Sequence, residues 1–468
     1  MIRKENWEIK DMKKDLTQGS VTKTLLLFSG PMILGNLLQQ CYNIADTLIV
    51  GKFLGPDALA AVGSAYTLMT FLTSIIIGLC MGSGAVFSVY FGKKEKQRMK
   101  DSIAAAFLFI FLVTVAMNAV IFAGLHPILR MLQVPADIYG LMQEYVWIIF
   151  CGIVFVFLYN YFSFLLRSVG NSVVPLVFLG AAAVLNIGLD VLFVMVWNRG
   201  VGGAAFATVL AQAVSGIGIG VYVWFREPEL RPGRKEFSIK RNIMTEVMRH
   251  SVAACIQQSV MNFGILMIQG LVNSFGTAVM AAFAAAVKID SFAYMPAQEF
   301  GNAFSLFISQ NHGGGKKERV REGIGQAAKI SVCFCLAVSA AIFLFAPYLM
   351  QIFVNGRETR IIEIGTEYLR IEGAFYCGIG LLFLLYGFYR GVEKPEMSLV
   401  LTVISLGTRV ALAYLLAPIP AIGVKGIWWA IPIGWFLADA AGMIYMRHKR
   451  LYVRMDTTGS GHETAGNG

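Results

Sequence analysis

Apolar stretches long enough to cross the ~30 Å hydrocarbon core of a bilayer recur twelve times along this chain. They lie near 25–50, 58–91, 102–126, 139–166, 173–197 and 202–225, and again near 250–273, 278–311, 324–346, 366–390, 396–417 and 424–446. Two of them, 58–91 and 278–311, exceed one bilayer, so part of each is expected to project into water. Backbone in lipid has no water to bond to, which restricts spanning segments to helices or closed barrels. Segments of this length select helices, and the chain reads as an all-α integral membrane protein. Charged residues make up 14% of the 468, against about 25% in a typical soluble domain.

The net charge of +11 could point to nucleic acid, but its distribution points to a membrane. Most Lys and Arg fall in the N-terminal arm, the C-terminal tail and alternate loops. Lys52, Arg130, Arg199, Arg357, Arg360, Arg370 and Lys425 fall in or near the intervening loops, and Lys288 and Arg409 inside predicted spans. That alternation is the positive-inside pattern and places both termini in the cytoplasm; a nucleic-acid patch would concentrate on one water-facing domain. The first span is too long for a signal-peptide core, so it is read as a mature helix. The expected domains are a cytoplasmic N-terminal arm (1–24), an N-terminal six-helix lobe (25–225), a cytoplasmic linker (226–249), a C-terminal six-helix lobe (250–446) and a basic, then disordered tail (447–468). The seven cysteines all fall in predicted spans, with no spacing that suggests a metal or disulfide framework.

The two sets of six spans repeat. Gly92-Lys93-Lys94 meets Gly315-Lys316-Lys317, Arg167 meets Arg390, and Gly200 to Gly203 meets Gly423 to Gly426, all at an offset of 223. Gly55 meets Gly276 at 221. An even number of spans per repeat keeps both repeats in the same orientation. The two six-helix bundles should therefore be related by a pseudo-two-fold axis along the membrane normal, with substrate sites near the midplane.

Polar groups inside the spans are the functional candidates, because a charge at membrane depth costs roughly 2.5–3.5 kcal/mol on insertion scales. Asn36, Gln39, Asn43 and Asp46 share one helical face of the first span. Asn186 and Asp190 form an i,i+4 pair on the fifth span, and Thr208 of the sixth lies at comparable depth. A carboxylate, an amide and a hydroxyl can bind a proton through a hydrogen-bond network or hold Na⁺ as hard oxygen ligands, so Asp46, Asn186, Asp190 and Thr208 are metal ligands only if Na⁺ is used. Whether Asp46 and Asp190 meet is open at this stage. The repeat supplies a control: Asp46 maps to Met267, Asn186 to Arg409, Asp190 to Ala413 and Thr208 to Ile431. The second half keeps the scaffold and lacks the constellation. Its own buried charges are read as Lys288, Asp290, Glu299 and Arg409, with Glu299 placed to bind a cationic substrate or to pair with Arg409. Pro31 removes a backbone hydrogen bond from the first helix and can act as a hinge. Tyr42 joins Asn36, Gln39, Asn43 and Glu299 as a candidate wall of the substrate cavity.

An ordered set of short motifs covers about residues 20 to 450: Gly30-Pro31, Asn43…Asp46…Gly51, Phe164-Leu-Leu-Arg167…Gly170-Asn171, Asn186-x-x-x-Asp190, Gly203-Ala-Ala-Phe-Ala-Thr208 and Ser309-Gln-Asn-His-Gly313. Together they resemble the multidrug and toxic compound extrusion (MATE) family of antiporters, and the N-terminal acids look like its DinF-like branch. The resemblance implies export of amphipathic, often cationic compounds against H⁺ or Na⁺ by alternating access. It implies a cation site at Asp46, Asn186, Asp190 and Thr208, and bending at Pro31. It also implies a bacterial or archaeal plasma (inner) membrane, small-molecule and lipid partners, no nucleic acid and no cofactor beyond the coupling ion; the chain is expected to act as a monomer. The other bacterial branch carries extra acids in its C-terminal lobe, where the seventh span here offers Gln257 and Gln258. The nearest alternative is a lipid-linked oligosaccharide or lipid flippase, which would need several cavity cations to hold pyrophosphate. An enzyme is disfavoured, since His126, His250, His312, His448 and His462 fall at span ends, loops or the tail.

Overall fold

A computed structural model describes residues 14–131, 134–233, 240–449 and 451. Expectations for residues 1–13, for the centre of the linker and for the tail past 451 lie outside those residues. Among the described residues all regular elements are helical. The first six spans are α1 (Val21–Leu54), α2 (Pro56–Lys93), α3 (Lys96–Met131), the pair α4 (Ala136–Cys151) and α5 (Ile153–Ser168), α6 (Val173–Asp190) and α7 (Gly200–Arg226). The second six are α8 (Arg241–Asn273), α9 (Thr277–Gly313), α10 (Lys317–Phe353), the pair α11 (Thr359–Gly373) and α12 (Tyr376–Gly391), α13 (Pro395–Leu416) and α14 (Lys425–His448). Among the described residues ten helices are each long and apolar enough to span, and twelve spans result if each bent pair is one crossing.

The repeat survives at the level of single dihedrals. Gly55 and Gly276 share φ near +90° (89° and 92°), and Gly200 and Gly423 lie at 60° and 57°. Gly170 at 87° is matched by Glu393 at 60°, a side chain held where glycine is otherwise preferred. The spans expected at 139–166 and 366–390 are not straight. They bend by 46° and 52° at breaks that correspond at the offset of 223. Gly152 donates its N–H to Ile149 (2.9 Å) and accepts from Phe155 (2.9 Å); Phe375 donates to Glu372 (3.0 Å) and accepts from Gly378 (2.8 Å). These i,i−3 bonds tighten one turn in each half. At Gly152 a Cβ would stand 2.7 Å from the methyls of Val209, so α7 packs against bare backbone there.

Two hydrophobic cores result, and each bundle lends a helix end to the other. Phe28 and Met32 of α1 belong to the core built around Phe283, Tyr368 and Trp428. Ile243 and Val247 of α8 belong to the core built around Phe87, Phe157 and Tyr161. Between the bundles runs a seam whose width is set by glycine. A Cβ on Gly78 would meet the backbone of Ala254 and Cys255, one on Gly82 that of His250 and Ser251, and one on Gly92 that of Gln310. Gly313 is equally tight against Val89. Towards the opposite end of the same helices, Gly63 and Gly270 have nothing within 4 Å of the Cβ position. The bundles therefore close at the end carrying Gly92-Lys93-Lys94 and Gly315-Lys316-Lys317.

A short strap completes that closed end. Leu16 is fully buried in the second core. Its N–H donates to Gln310 Oε1 (3.2 Å), and its carbonyl accepts from Asn311 Nδ2 (3.1 Å) and Arg319 Nε (3.2 Å). Lys14 N–H donates to the carbonyl of Gly170 in the first bundle (3.2 Å). Gln310 Nε2 reaches across to the carbonyl of Ser168 (2.7 Å). Gln310 and Asn311 thus serve as clamps for backbone that has no helix or sheet to satisfy it.

Gly82→Val should overpack this seam at about 1–3 kcal/mol. The expected result is a lower Tm in detergent and faster maleimide labelling of Cys255, resolved by peptide mass spectrometry. Unchanged Tm and labelling would contradict a seam closed by backbone contact.

Candidate functional site

With 100° per residue, Asn36, Gln39, Asn43 and Asp46 occupy one narrow stripe of α1. The exposed apolar side chains Leu34, Ile44 and Leu48 lie on the opposite face, which is the face turned to lipid. Gln39 is exposed, and Asn36, Asn43 and Asp46 are half-buried. Their side of the helix turns towards the other helices and the space between the bundles, as lipid offers these groups no partners.

Asp46 and Asp190, left as separate groups by the sequence, come within hydrogen-bonding reach of each other. Asp190 is fully buried at the end of α6, one turn after Asn186. Asn186 donates from Nδ2 to Thr208 Oγ1 of α7 at 3.3 Å. What the cluster lacks is donors: Asp46 Oδ1, both Asp190 carboxyl oxygens and Asn186 Oδ1 find no N–H or O–H among the described residues. Two facing carboxyl groups hydrogen-bond to each other only when one carries a proton. The same oxygens, with Thr208 Oγ1, form a hard donor set of the kind that suits a small monovalent cation. Among the described residues there is no group of three His, Cys, Asp or Glu that could hold a more demanding metal.

Two features of this site were not legible in the sequence. Directly after Asp190 the helix widens into a π-helical segment, Val191–Val196, a geometry that is rare and frequent at functional sites. Its counterpart α13 runs regularly past Ala413. Tyr145 of α4, which carries no motif, is buried within electrostatic reach of Asp46, Asp190 and Tyr42.

Glu299 pairs differently from the sequence expectation. Its Oε1 accepts from Asn36 Nδ2 (3.1 Å) and Asn302 Nδ2 (3.3 Å). Asn302 Oδ1 in turn accepts from the buried Arg390 Nη2 (2.9 Å). The α1 stripe is thus wired across the seam to α9 and α12. Arg409 lies instead within electrostatic reach of the buried acids Asp290 and Glu372, and Asp290 accepts a hydrogen bond from Tyr376 Oη at 2.6 Å. Lys288 is exposed and stays outside the cluster. Glu372 and a further buried acid, Asp439, were not singled out from the sequence. Glu372 hides beside a helix break among Glu367 and Arg370, where polarity looks like a loop; Asp439 was legible as a lone acid in an apolar span. The symmetry is informative: Arg409 occupies the repeat position of Asn186. The second bundle supplies its acids with a guanidinium, and the first offers its acids only an amide.

Comparison with known proteins agrees with this architecture. The MatE family model matches residues 31–192 and 252–415, two segments whose ends are offset by the same 221 and 223 as the internal repeat. The chain is 33% identical over 445 residues to "Probable multidrug resistance protein YpnP" of Bacillus subtilis, covering 93% of this chain and 97% of the relative. It is 26% identical to "Probable multidrug resistance protein NorM" of Thermotoga maritima, covering 87% and 88%. Among solved structures it is similar to a MOP superfamily transporter from Pyrococcus furiosus, with TM-score 0.87 and 24% identity over 93% of this chain and 97% of that one. An outward-facing multidrug resistance MATE transporter matches with TM-score 0.87 at 25% identity, again over 93% and 97%.

The two acid clusters should respond oppositely to loss of one member. Arg409→Met removes the positive charge that acts on the buried Asp290 and Glu372 and should cost about 1–3 kcal/mol, read as a fall in Tm. Asp190→Asn gives Asp46 a donor worth about 0.5–1.5 kcal/mol and should hold or raise Tm. A fall in Tm for Asp190→Asn as large as that for Arg409→Met would mark the N-terminal pair as structural.

Proposed function

Because the chain belongs to the MatE family of membrane transporters, we propose that it is a cation-coupled antiporter exporting amphipathic, often cationic compounds. The observation that carries this reading is a set of buried oxygens without donors, Asp46 Oδ1, both Asp190 carboxyl oxygens and Asn186 Oδ1, beside Thr208 Oγ1. A buried acceptor set of this kind is costly when unfilled, so a proton or Na⁺ that fills it lowers the free energy of whichever state presents it. Binding energy then depends on conformation, which is the requirement for coupling.

The first helix is the natural transmitter. It carries Asp46 at the ion cluster and, three turns earlier, Asn36 on Glu299 of the opposite bundle. Pro31 lies between these groups and the end of α1 that is packed into the second core, where a hinge would tilt the stripe without disturbing that anchor. Gln39, Asn43 and Tyr42 then line the space in which a substrate displaces or follows the ion. With the basic loops placed on the cytoplasmic side, the closed seam is cytoplasmic and the state is outward-facing. The membrane is a bacterial or archaeal plasma membrane, and one chain contains all the parts the cycle requires.

One charge crossing 100 mV releases ~2.3 kcal/mol, enough for about a 40-fold gradient per ion at ~1.4 kcal/mol per decade. In proteoliposomes, an imposed H⁺ or Na⁺ gradient should drive uptake of a cationic dye into inverted vesicles, and the ion that does so identifies the coupling. Asp46→Asn and Asp190→Asn should each reduce that flux at least tenfold with insertion intact. Undiminished transport by both variants would sink the assignment. Glu299→Gln should shift substrate affinity more than coupling.

A further inference from the structure

A second unpartnered acid lies in the other bundle, away from the seam and from the N-terminal cluster. Asp439 of α14 is 3% exposed, and neither of its carboxyl oxygens meets a donor among the described residues. Tyr386 of α12 is within electrostatic reach but donates to neither oxygen. Unlike Asp290 and Glu372, Asp439 has no guanidinium beside it, and unlike Asp46 and Asp190 it has no second carboxyl with which to share a proton. It opens into a groove of about 260 Å³ walled by α9, α10, α12 and α14. The walls are otherwise apolar, with Phe304, Ile324, Ala328, Leu385 and Phe388 among them, and Arg447 is the other charged group present. Met443, 45% exposed, lines the groove on the outer side of α14, next to Ile444 and Leu437 on the lipid face. The groove is therefore reached from the bilayer.

We propose that this groove binds a hydrophobic amine, with a protonated nitrogen on Asp439 and an apolar, aryl-bearing body along the walls. The chemistry is complementary on both counts: a carboxyl without donors wants an N⁺–H, and the walls want carbon. A phospholipid headgroup fits poorly. Arg447 lies eight residues from Asp439, about 12 Å along the helix, so a phosphate held at Arg447 would leave an amine two carbons away far short of the acid. The groove is slightly below the usual 300–1,000 Å³ of a drug-sized site, which suits a small diaryl amine. This site is separate from the proposed ion cluster, so either assignment can fail without the other.

The test uses the full chain in phosphatidylcholine nanodiscs, carrying Asp46→Asn and Asp190→Asn to silence the N-terminal acids, with tritiated 3,3-diphenylpropylamine as probe. Saturable binding is expected, weakened at least tenfold by Asp439→Asn and abolished by Ala328→Trp, which fills the groove while leaving the acid. Unlabelled 3,3-diphenylpropan-1-ol should compete at least tenfold less well than the amine. Equal binding by the Asp439→Asn protein, persistence in the Ala328→Trp protein, or equal competition by the alcohol would overturn the proposal. Displacement of the probe by phosphatidylethanolamine would also overturn it, reassigning the groove to lipid.

Discussion

A carboxyl group taken out of water into a membrane bundle needs a counter-charge, a proton or a set of donors, and this protein meets that requirement in three different ways. In the second bundle, Arg409 stands with Asp290 and Glu372, and Tyr376 adds a hydrogen bond. At the seam, Glu299 is held by two amides, one from each bundle. In the first bundle, Asp46 and Asp190 have only each other. Glu299 and Asp290 have protein donors, whereas Glu372 Oε2, Asp46 Oδ1 and both Asp190 carboxyl oxygens meet none among the described residues, as is also true of Asp439 in α14.

The two bundles meet along a seam lined by glycine. Their closed end is held by backbone apposition at glycines, by a strap of hydrogen bonds and by the side chains each bundle lends to the other's core. The ion pair across it, Lys93 with Glu393, is partly exposed, and such pairs contribute on the order of 0–1 kcal/mol. The first helix crosses between this end and the ion cluster, with its early turns in the core of one bundle and its acid against the other. α1 thus joins the ion-cluster residue Asp46 to the contact between the bundles.

The duplicated architecture explains how one scaffold carries such unequal sites. Matched dihedrals at Gly55 and Gly276, matched breaks at Gly152 and Phe375, and matched spans throughout give both halves the same backbone plan. On that plan the two clusters differ at each member: Met267, Arg409 and Ala413 stand where the first bundle has Asp46, Asn186 and Asp190.

The amino-acid sequence by itself determined the twelve crossings, their division into two like-oriented sets and the polar stripe of α1, because lipid exclusion and helical periodicity are local rules that each segment obeys alone. It also singled out Asp46, Asn186, Asp190 and Thr208 as polar groups inside apolar spans. Only the tertiary structure decided which of them meet. The contact of Asp46 with Asp190, the diversion of Arg409 from Glu299 to Asp290 and Glu372, and the place of Tyr145 are pairings between segments far apart in the chain, fixed by how helices cross. The bends at Gly152 and Phe375 and the π-helical turn after Asp190 were equally hidden, since hydropathy records that a segment is buried and carries no trace of how its backbone hydrogen bonds are shared.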